Sequence, residues 1–318
     1  MGGAHGEELH MSEAPLVSVV MSVYNGAAAL PESLSSVLEQ RDCNLEIIVV
    51  DDGSTDESAR ILDAFAERDR RLLVIHQQNT GLTQALILGC ARARGEFIAR
   101  QDAGDISLPG RFAAQMAFLH GHPHAVMVCS AVQFCGPMDE PLYVLARPMG
   151  ALDTGLRALS LDQLCGPPHH GATMFRRDAY ERAGGYRAAF AVAQDLDLWL
   201  RMIEQGQCLG MVEVFYRARL EMGSISSRRR EEQIRMLKLA LECARVRALG
   251  ADDRQLLAAA VAVRQPKRPV SARERARFHY FVGSCLRASN PLLARVYFGK
   301  ALRDNPLHVK ALLHWMMI

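Results

Sequence analysis

The sequence has no apolar run long enough to cross a membrane, since a spanning helix needs roughly twenty residues and no window here reaches about eighteen. Its eight cysteines include no CxxC pair and no zinc-ligand spacing, so neither a disulfide scaffold nor a structural zinc module is indicated. They read instead as small buried apolar residues in a reducing cytoplasm. It has no excess of one charge: 37 basic residues against 35 acidic give a formal net charge of +2, which removes any whole-molecule case for binding nucleic acid. The opening MGGAHGEELHMSEA has neither a basic start nor an apolar stretch, so residues 1–14 are expected to be a disordered leader and not a signal peptide. These absences leave a soluble cytoplasmic chain of 318 residues, 49% hydrophobic, with apolar material for one large domain and an appendage.

The stretch LEIIVVDDGSTDES at residues 45–58 organises what is there. Leu45, Ile47, Ile48, Val49 and Val50 make a nearly continuous apolar run rich in β-branched residues, the pattern of a strand buried on both faces of a parallel sheet. Asp51 and Asp52 follow at once, at the carboxyl end of a central strand, where open α/β sheets place their ligands. Gly53 permits a tight turn, and Ser54, Thr55 or Asp56 can cap a helix that begins near Glu57. Turn-and-cap duty is the plain alternative for some of these acids.

The segment VSVVMSV at 17–23 predicts a second buried strand, closed by Tyr24, Asn25 and Gly26. Helical spacing over 27–40, a helix after Glu57, a strand at 72–75, a helix over 82–93 and a strand at 96–99 complete four alternations, hence a doubly wound, mostly parallel α/β sheet. Residues 100–105 are expected as the loop after the fourth strand, with a ligand crevice where Tyr24, Asp51, Asp52 and Asp102 converge. Residues 111–120 predict a helix, 125–132 strand, and 136–171 a less regular half that receives a second substrate. A strand at 172–175, a helical turn at 177–183, a helix opening at Gln194 with Asp195 near its N-cap, and a strand at 209–216 close the domain. Beyond 227 the chain reads as helices at 228–249, 254–263, 272–287, 292–302 and 309–317, the last two faintly like a tetratricopeptide unit.

Asp102, Ala103, Gly104 and Asp105 form a second acidic cluster after a strand. Two acidic loops at one sheet edge point to a shared hard cation, Mg²⁺ or Mn²⁺, able to neutralise a diphosphate. In their order and spacing, VSVVMSVYN, EIIVVDDGSTD, NTGLTQAL, RQDAGDISLPGR and GYRAAFAVAQDLDLWLRM resemble a family 2 glycosyltransferase of the GT-A fold over residues 15–225. The resemblance implies a GT-A domain at 15–226 and an all-helical C-terminal extension at 227–318. It implies a nucleotide-sugar pocket lined by Ser22, Tyr24, Asn25, Asp51 and Asp52, joined by Gln101 and His170. Asp102 opens the family's DXD motif, and metal falls to Asp102 and Asp105 because Gly104 stands where the second acid is usual. Asp195 matches the general base of an inverting transfer, with Gln194 replacing the usual preceding Glu. The implied donor is a nucleotide sugar, a UDP-sugar foremost, and the acceptor a saccharide or lipid-linked molecule of polysaccharide biosynthesis.

Other residues carry two readings each. His169 and His170 enter a strand near the expected diphosphate, as substrate-side groups or as turn residues. Trp199 lies on an apolar helix face and reads as core rather than as a sugar platform, and Arg111 reads as a salt-bridge cap on the acidic loop. Arg228, Arg229 and Arg230 suit an anion clamp or a solvated helix start. Two rival functions remain: a nucleotidyltransferase, which would show a basic phosphate loop where this chain has Tyr24, Asn25, Gly26 and Ala27, and a non-catalytic binding module, motivated by Gly104. The tail's apolar faces suit packing on the catalytic domain, on a partner protein, or on the inner face of a membrane.

Overall fold

The computed structural model describes residues 16–222, 230–263 and 269–318. The first half alternates as expected: β1 (Val17–Val23), α1 (Leu30–Leu38), β2 (Leu45–Asp51), α2 (Ser58–Ala66), β3 (Leu72–His76), α3 (Leu82–Cys90) and β4 (Phe97–Asp102). The second half holds β5 (Ile106–Ser107), α4 (Arg111–Gly121), β6 (Ala125–Cys135), β7 (Pro141–Leu145), α5 (Ala151–Arg157) and a 3-10 turn (His170–Ala172). It closes with β8 (Thr173–Arg176), α6 (Arg177–Arg182), α7 (Gln194–Met202) and β9 (Gln207–Arg219). Five helices follow: α8 (Arg230–Ala248), α9 (Arg254–Ala262), α10 (Ala272–Leu286), α11 (Pro291–Asp304) and α12 (Val309–Met317).

The strands form one sheet in the order β3-β2-β1-β4-β8-β6-β9-β5, with β7 on the side of β6. The neighbours β3, β2, β1 and β4 are parallel. Beyond β4 the sheet is mixed, because β8 runs antiparallel to both β4 and β6 while β6 and β9 are parallel. Strand order reverses between β1 and β4, which puts the crevice at the carboxyl ends of those two strands.

Both faces of the central strands are covered, which is why their sequences are nearly all apolar. Val19 and Met21 of β1 and Ile47 and Val49 of β2 pack under α1, α2 and α4, whereas Val20 and Ile48 point into the opposite core with Leu86 of α3 and Trp199 of α7. Each such buried side chain contributes about 1.5–3 kcal/mol of transfer free energy.

Three stretches differ from expectation. β4 runs through Asp102, so Arg100 and Gln101 are strand residues rather than loop, held by pairing with β1 up to Ser22↔Asp102. The 136–171 stretch contains β7 and α5 and is more regular than its turn residues imply. The expected boundary at 226–227 falls outside the described residues, and the helices past it divide in two. Met236, Ala240, Leu241 and Ala260 of α8 and α9 join the core that contains α7, while α10, α11 and α12 enclose a small core of their own around Tyr297 and Phe298. Among the described residues no helix is long and apolar enough to cross a membrane.

Candidate active site

The carboxyl ends of β1, β2 and β4 lie side by side, with Ser22 opposite Asp102 and Val23 opposite Asp51. The loops leaving β1 and β2 are laced together. Asn25 accepts the Thr55 N–H at 2.7 Å and donates its own N–H to Ser54 Oγ at 3.0 Å, while the Gly26 and Ala27 N–H groups bond Ser58 Oγ and Asp56 Oδ2. Asp51 accepts from the Ser54 N–H at 3.0 Å and pairs with His76 Nδ1 at 2.8 Å. Asp52 accepts from the Thr80 and Gly81 N–H groups, both at 2.8 Å, and from Gln77 Nε2 at 2.6 Å. Gly53 has φ +74°, and a Cβ there would stand 2.7 Å from the Asn79 amide, so only glycine fits. The turn-and-cap alternative thus describes the contacts of Asp51, Asp52 and Asp56, which fix three loops as a rigid rim. Tyr24, 47% exposed, and Ser22, partly exposed, stand at that rim.

The loop after β4 is built differently. Arg100 and Asp102 lie two apart on a strand and share a face, so the fully buried Arg100 donates from Nη2 to Asp102 Oδ1 at 2.6 Å. The Asp102 side chain is one third exposed, 33%. Desolvation would raise its pKa, but Arg100 and then His169 outweigh this and hold it below the ordinary carboxylate range. Asp105 is pushed up to about 6 by burial, with His169 opposing and the Asp102 charge adding to the rise. Tyr216 is the brace: it accepts the Asp102 N–H at 3.1 Å and donates to Asp105 Oδ2 at 2.9 Å, while the Arg219 N–H donates to Asp105 Oδ1 at 3.0 Å. Gly104 turns the loop at φ +97°, a conformation that strains any L side chain, which accounts for the missing acid at this position.

The structure brings His169, rather than His170, against the carboxylates. His169 Nε2 is 3.6 Å from Asp105 Oδ2 and its Nδ1 is 3.9 Å from Asp102 Oδ2. One ligand atom each from Asp102, Asp105 and His169 lie within 4.8 Å of one another. Two carboxylates and an imidazole gathered this closely fit a divalent cation. His170 is buried, bonded through Nε2 to the Tyr186 hydroxyl at 2.7 Å, and burial lowers its pKa to about 3.

Gln101 is fully buried with its amide spent inside the protein: Nε2 donates to the Asp105 carbonyl at 2.8 Å and Oε1 accepts from Ser107 Oγ at 2.7 Å. It therefore shapes the acidic loop from beneath, and the expectation that it meets the donor directly is corrected. The salt bridge expected of Arg111 is corrected as well. Arg111 is wholly buried and donates to the carbonyls of Arg100 and Gly171 at 2.8 and 2.6 Å and to Gln101 and Ser107, pinning β4 to the 3-10 turn; burial lowers its pKa to about 10.

Helix α7 presents two acids in opposite directions. Asp195 accepts the Leu196 N–H at 2.8 Å, and burial raises its pKa, with the Asp102 charge contributing. It sits in the first turn, after Ala193 as N-cap at φ 57°. Asp197 is 1% exposed and faces Arg187, which also donates to Asp253 at the start of α9 at 2.7 Å; Arg201 donates to Asp197 at 2.8 Å. Trp199 is core, as expected, edge-on to His170 at 6.1 Å. Arg228 and Arg229 lie outside the described residues, as does the side chain of Arg230.

Sequence reasoning missed Arg100, Tyr216 and Arg187. The signal for Arg100 was present, a charged residue two before an acid in an apolar strand. Tyr216 and Arg187 meet the acids only in three dimensions and had no such local signal.

Known proteins resemble this chain in sequence and in fold. The profile of glycosyl transferase family 2 matches residues 18–184. The chain is 34% identical over 224 residues to the putative glycosyltransferase EpsE of Bacillus subtilis, covering 69% of this chain and 78% of that one. It is 33% identical to the amylovoran biosynthesis glycosyltransferase AmsE of Erwinia amylovora, covering 71% and 87%. Among solved structures, residues 1–349 of S. aureus TarS in complex with UDP align with a TM-score of 0.56 at 15% identity, covering 95% of this chain and 88% of that one. The mannosyltransferase PcManGT of Pyrobaculum calidifontis, in complex with GDP-Man and Mn²⁺, aligns with a TM-score of 0.52 at 19% identity, covering 93% and 88%. A family match over more than half of the chain, on a GT-A fold whose acids gather at the strand ends, makes this protein a glycosyltransferase belonging to family 2.

Proposed function

We propose that the enzyme is an inverting, metal-assisted transferase in which Asp195 activates the acceptor. The observation that carries this reading is the meeting of Asp102, Asp105 and His169 at the strand-end edge, within the electrostatic reach of a carboxyl at Asp195 whose pKa burial raises. A base works best when its pKa approaches the working pH, and Asp195 is shifted in that direction. Ser22, Tyr24 and Asn25, on the rim held by Asp51 and Asp52, receive the nucleotide; the diphosphate lies toward Asp102. A UDP-sugar is the favoured donor, supported by the UDP complex of TarS. The name of the amylovoran biosynthesis relative supports a place in polysaccharide assembly; the acceptor of this reading is a saccharide or lipid-linked molecule, met in the cytoplasm.

The acceptor oxygen forms its bond to the anomeric carbon while Asp195 takes the hydroxyl proton. The carbon–oxygen bond to the diphosphate breaks on the opposite face, so the configuration inverts. A divalent cation, Mn²⁺ or Mg²⁺, held by Asp102, Asp105 and His169 would supply stabilisation of the charge that collects on the diphosphate.

The test is Asp195→Asn assayed with a panel of UDP, GDP, dTDP and CDP sugars, together with nucleotide-induced thermal shifts in Mn²⁺ and in EDTA. Loss of transfer with donor binding retained supports the reading. Wild-type turnover in the variant, or a product that keeps the donor's anomeric configuration, overturns it. Gly104 favours a second reading, donor binding without transfer, which wins if the wild type binds a nucleotide yet turns over no donor, by transfer or by hydrolysis.

A further inference from the structure

Helix α12 carries an apolar surface that nothing in the described protein covers. At about 100° per residue, Leu312, Met316, Val309, Leu313 and Met317 fall in one arc of about 140°, and Ala311 lies diametrically opposite. Ala311 is 0% exposed and faces the small core, whereas Met316 is 70% and Met317 79% exposed. Leu307, just before the helix, is 86% exposed, and Leu292 on α11 is 78% exposed. The apolar arc is therefore a convex ridge directed away from the protein, not a groove.

Cations border it. Lys310 follows the arc on one side, and Trp315 flanks the other with the Arg295 guanidinium 4.7 Å above its ring; Arg287 reaches His314 at 3.2 Å. Residues 269–318 contain eight arginines and lysines against two carboxylates, Glu274 and Asp304, in a chain whose total formal charge is only +2. Positive charge is thus concentrated in the segment that carries the ridge, and the rest of the sequence is net negative.

We propose that this end of the molecule is a docking surface for an anionic lipid bilayer, with α12 lying in the interface plane. A ridge of apolar side chains flanked by lysine, arginine and tryptophan matches an interfacial helix, where apolar burial adds to attraction by anionic headgroups. A second copy of the chain is disfavoured, since a symmetric contact through this face would set two strongly basic surfaces against each other. A chain of contacts ties the helical unit that carries the ridge to the acidic loop. Tyr297 of α11 donates to Glu140, its neighbour Asp139 holds the Arg219 guanidinium at 2.7 Å, and the Arg219 N–H bonds Asp105. Docking by α12 would hold the catalytic cleft close to a membrane, and this deepens the acceptor reading above to a lipid-anchored acceptor, a step that rests on that reading.

The test is co-sedimentation of the full chain with phosphatidylcholine vesicles with and without phosphatidylglycerol, comparing wild type with the double variant Leu313→Glu, Met316→Glu. Both changed positions are exposed, so circular dichroism and Tm should match the wild type. Binding to phosphatidylglycerol vesicles that high salt weakens and the double variant loses supports the proposal; Lys310→Glu should weaken it less. Absence of wild-type binding, equal binding by the double variant, or a solution dimer that the variant breaks in place of vesicle binding overturns it. Vesicle binding by a protein that transfers no sugar would sink the proposed function and leave the surface standing, and transfer without vesicle binding the reverse.

Discussion

The loops after β2 and β4 look alike in sequence, each a strand ending in acid, a glycine and another acid, yet their acids sit in different surroundings. Asp51 and Asp52 are 3% exposed and their oxygens are occupied by N–H groups, His76 and Gln77. Asp102 is one third exposed, and Asp105 holds a carboxyl that burial makes reluctant to ionise. The acids of the first loop are tied by hydrogen bonds to neighbouring loops, whereas those of the second stand beside His169 with Asp102 reaching solvent. Perturbed carboxyls gathered beside a histidine, more than the number of acids, are what single out the second loop as the candidate site.

This contrast breaks most sharply at Asp102. Asp102→Asn should lower kcat by about 10²- to 10³-fold, the scale of losing one well-placed electrostatic contact in a transfer site, and should also lower Tm, because the wholly buried Arg100 loses its charge partner. A kinetic assay beside a melting curve checks both halves, and wild-type kcat in a variant with lowered Tm would move Asp102 into the structural class. The mirror experiment is Asp52→Ala. It removes the carboxylate that the Thr80 and Gly81 N–H groups and Gln77 share on a partly exposed loop, and should cost about 1–3 kcal/mol of stability in urea unfolding. An intact unfolding curve with lost donor binding would show that Asp52 serves the ligand after all.

Gly104→Asp restores the usual second acid at the price of a left-handed backbone. Strain of about 1–2 kcal/mol should appear in unfolding. If the restored acid nevertheless tightens Mn²⁺ binding by calorimetry, the loop can tolerate the ligand that its glycine omits.

The smallest effect is in pH, and both loops give it the same sign for different reasons. Asp105 has a folded pKa of about 6, above that of an unfolded carboxyl, so its ionisation opposes folding above pH 6 and the opposition is relieved as pH falls toward 4. His76 is raised by its bonds to Asp51 and Asp63, so its contribution is complete below the unfolded value of about 6.5 and is lost as pH rises through the folded pKa. Asp105→Asn and His76→Gln should each flatten part of the Tm–pH curve. Saturating Mn²⁺ should remove the Asp105 part alone, and an Mn²⁺ effect that survives undiminished in Asp105→Asn would take that residue out of the cation site.

The sequence by itself determined the alternation of strands and helices, the two-faced burial of β1 and β2, the position of both acidic loops at strand ends and the family. These are local properties: periodicity, turn glycines and the placement of charge are all written within a few neighbouring residues. Only the tertiary structure decided which acid is free. Tyr216 reaches Asp105 from 111 positions away, and Arg187 takes Asp197 but not Asp195, though the two acids are two positions apart in the same helical turn. It also chose His169 over its neighbour His170, because consecutive side chains at the mouth of β8 point to opposite sides, one to the carboxylates and one to Tyr186. A carboxylate's pKa and availability depend on the groups that surround it in space, and those groups come from strands and helices that only folding brings together.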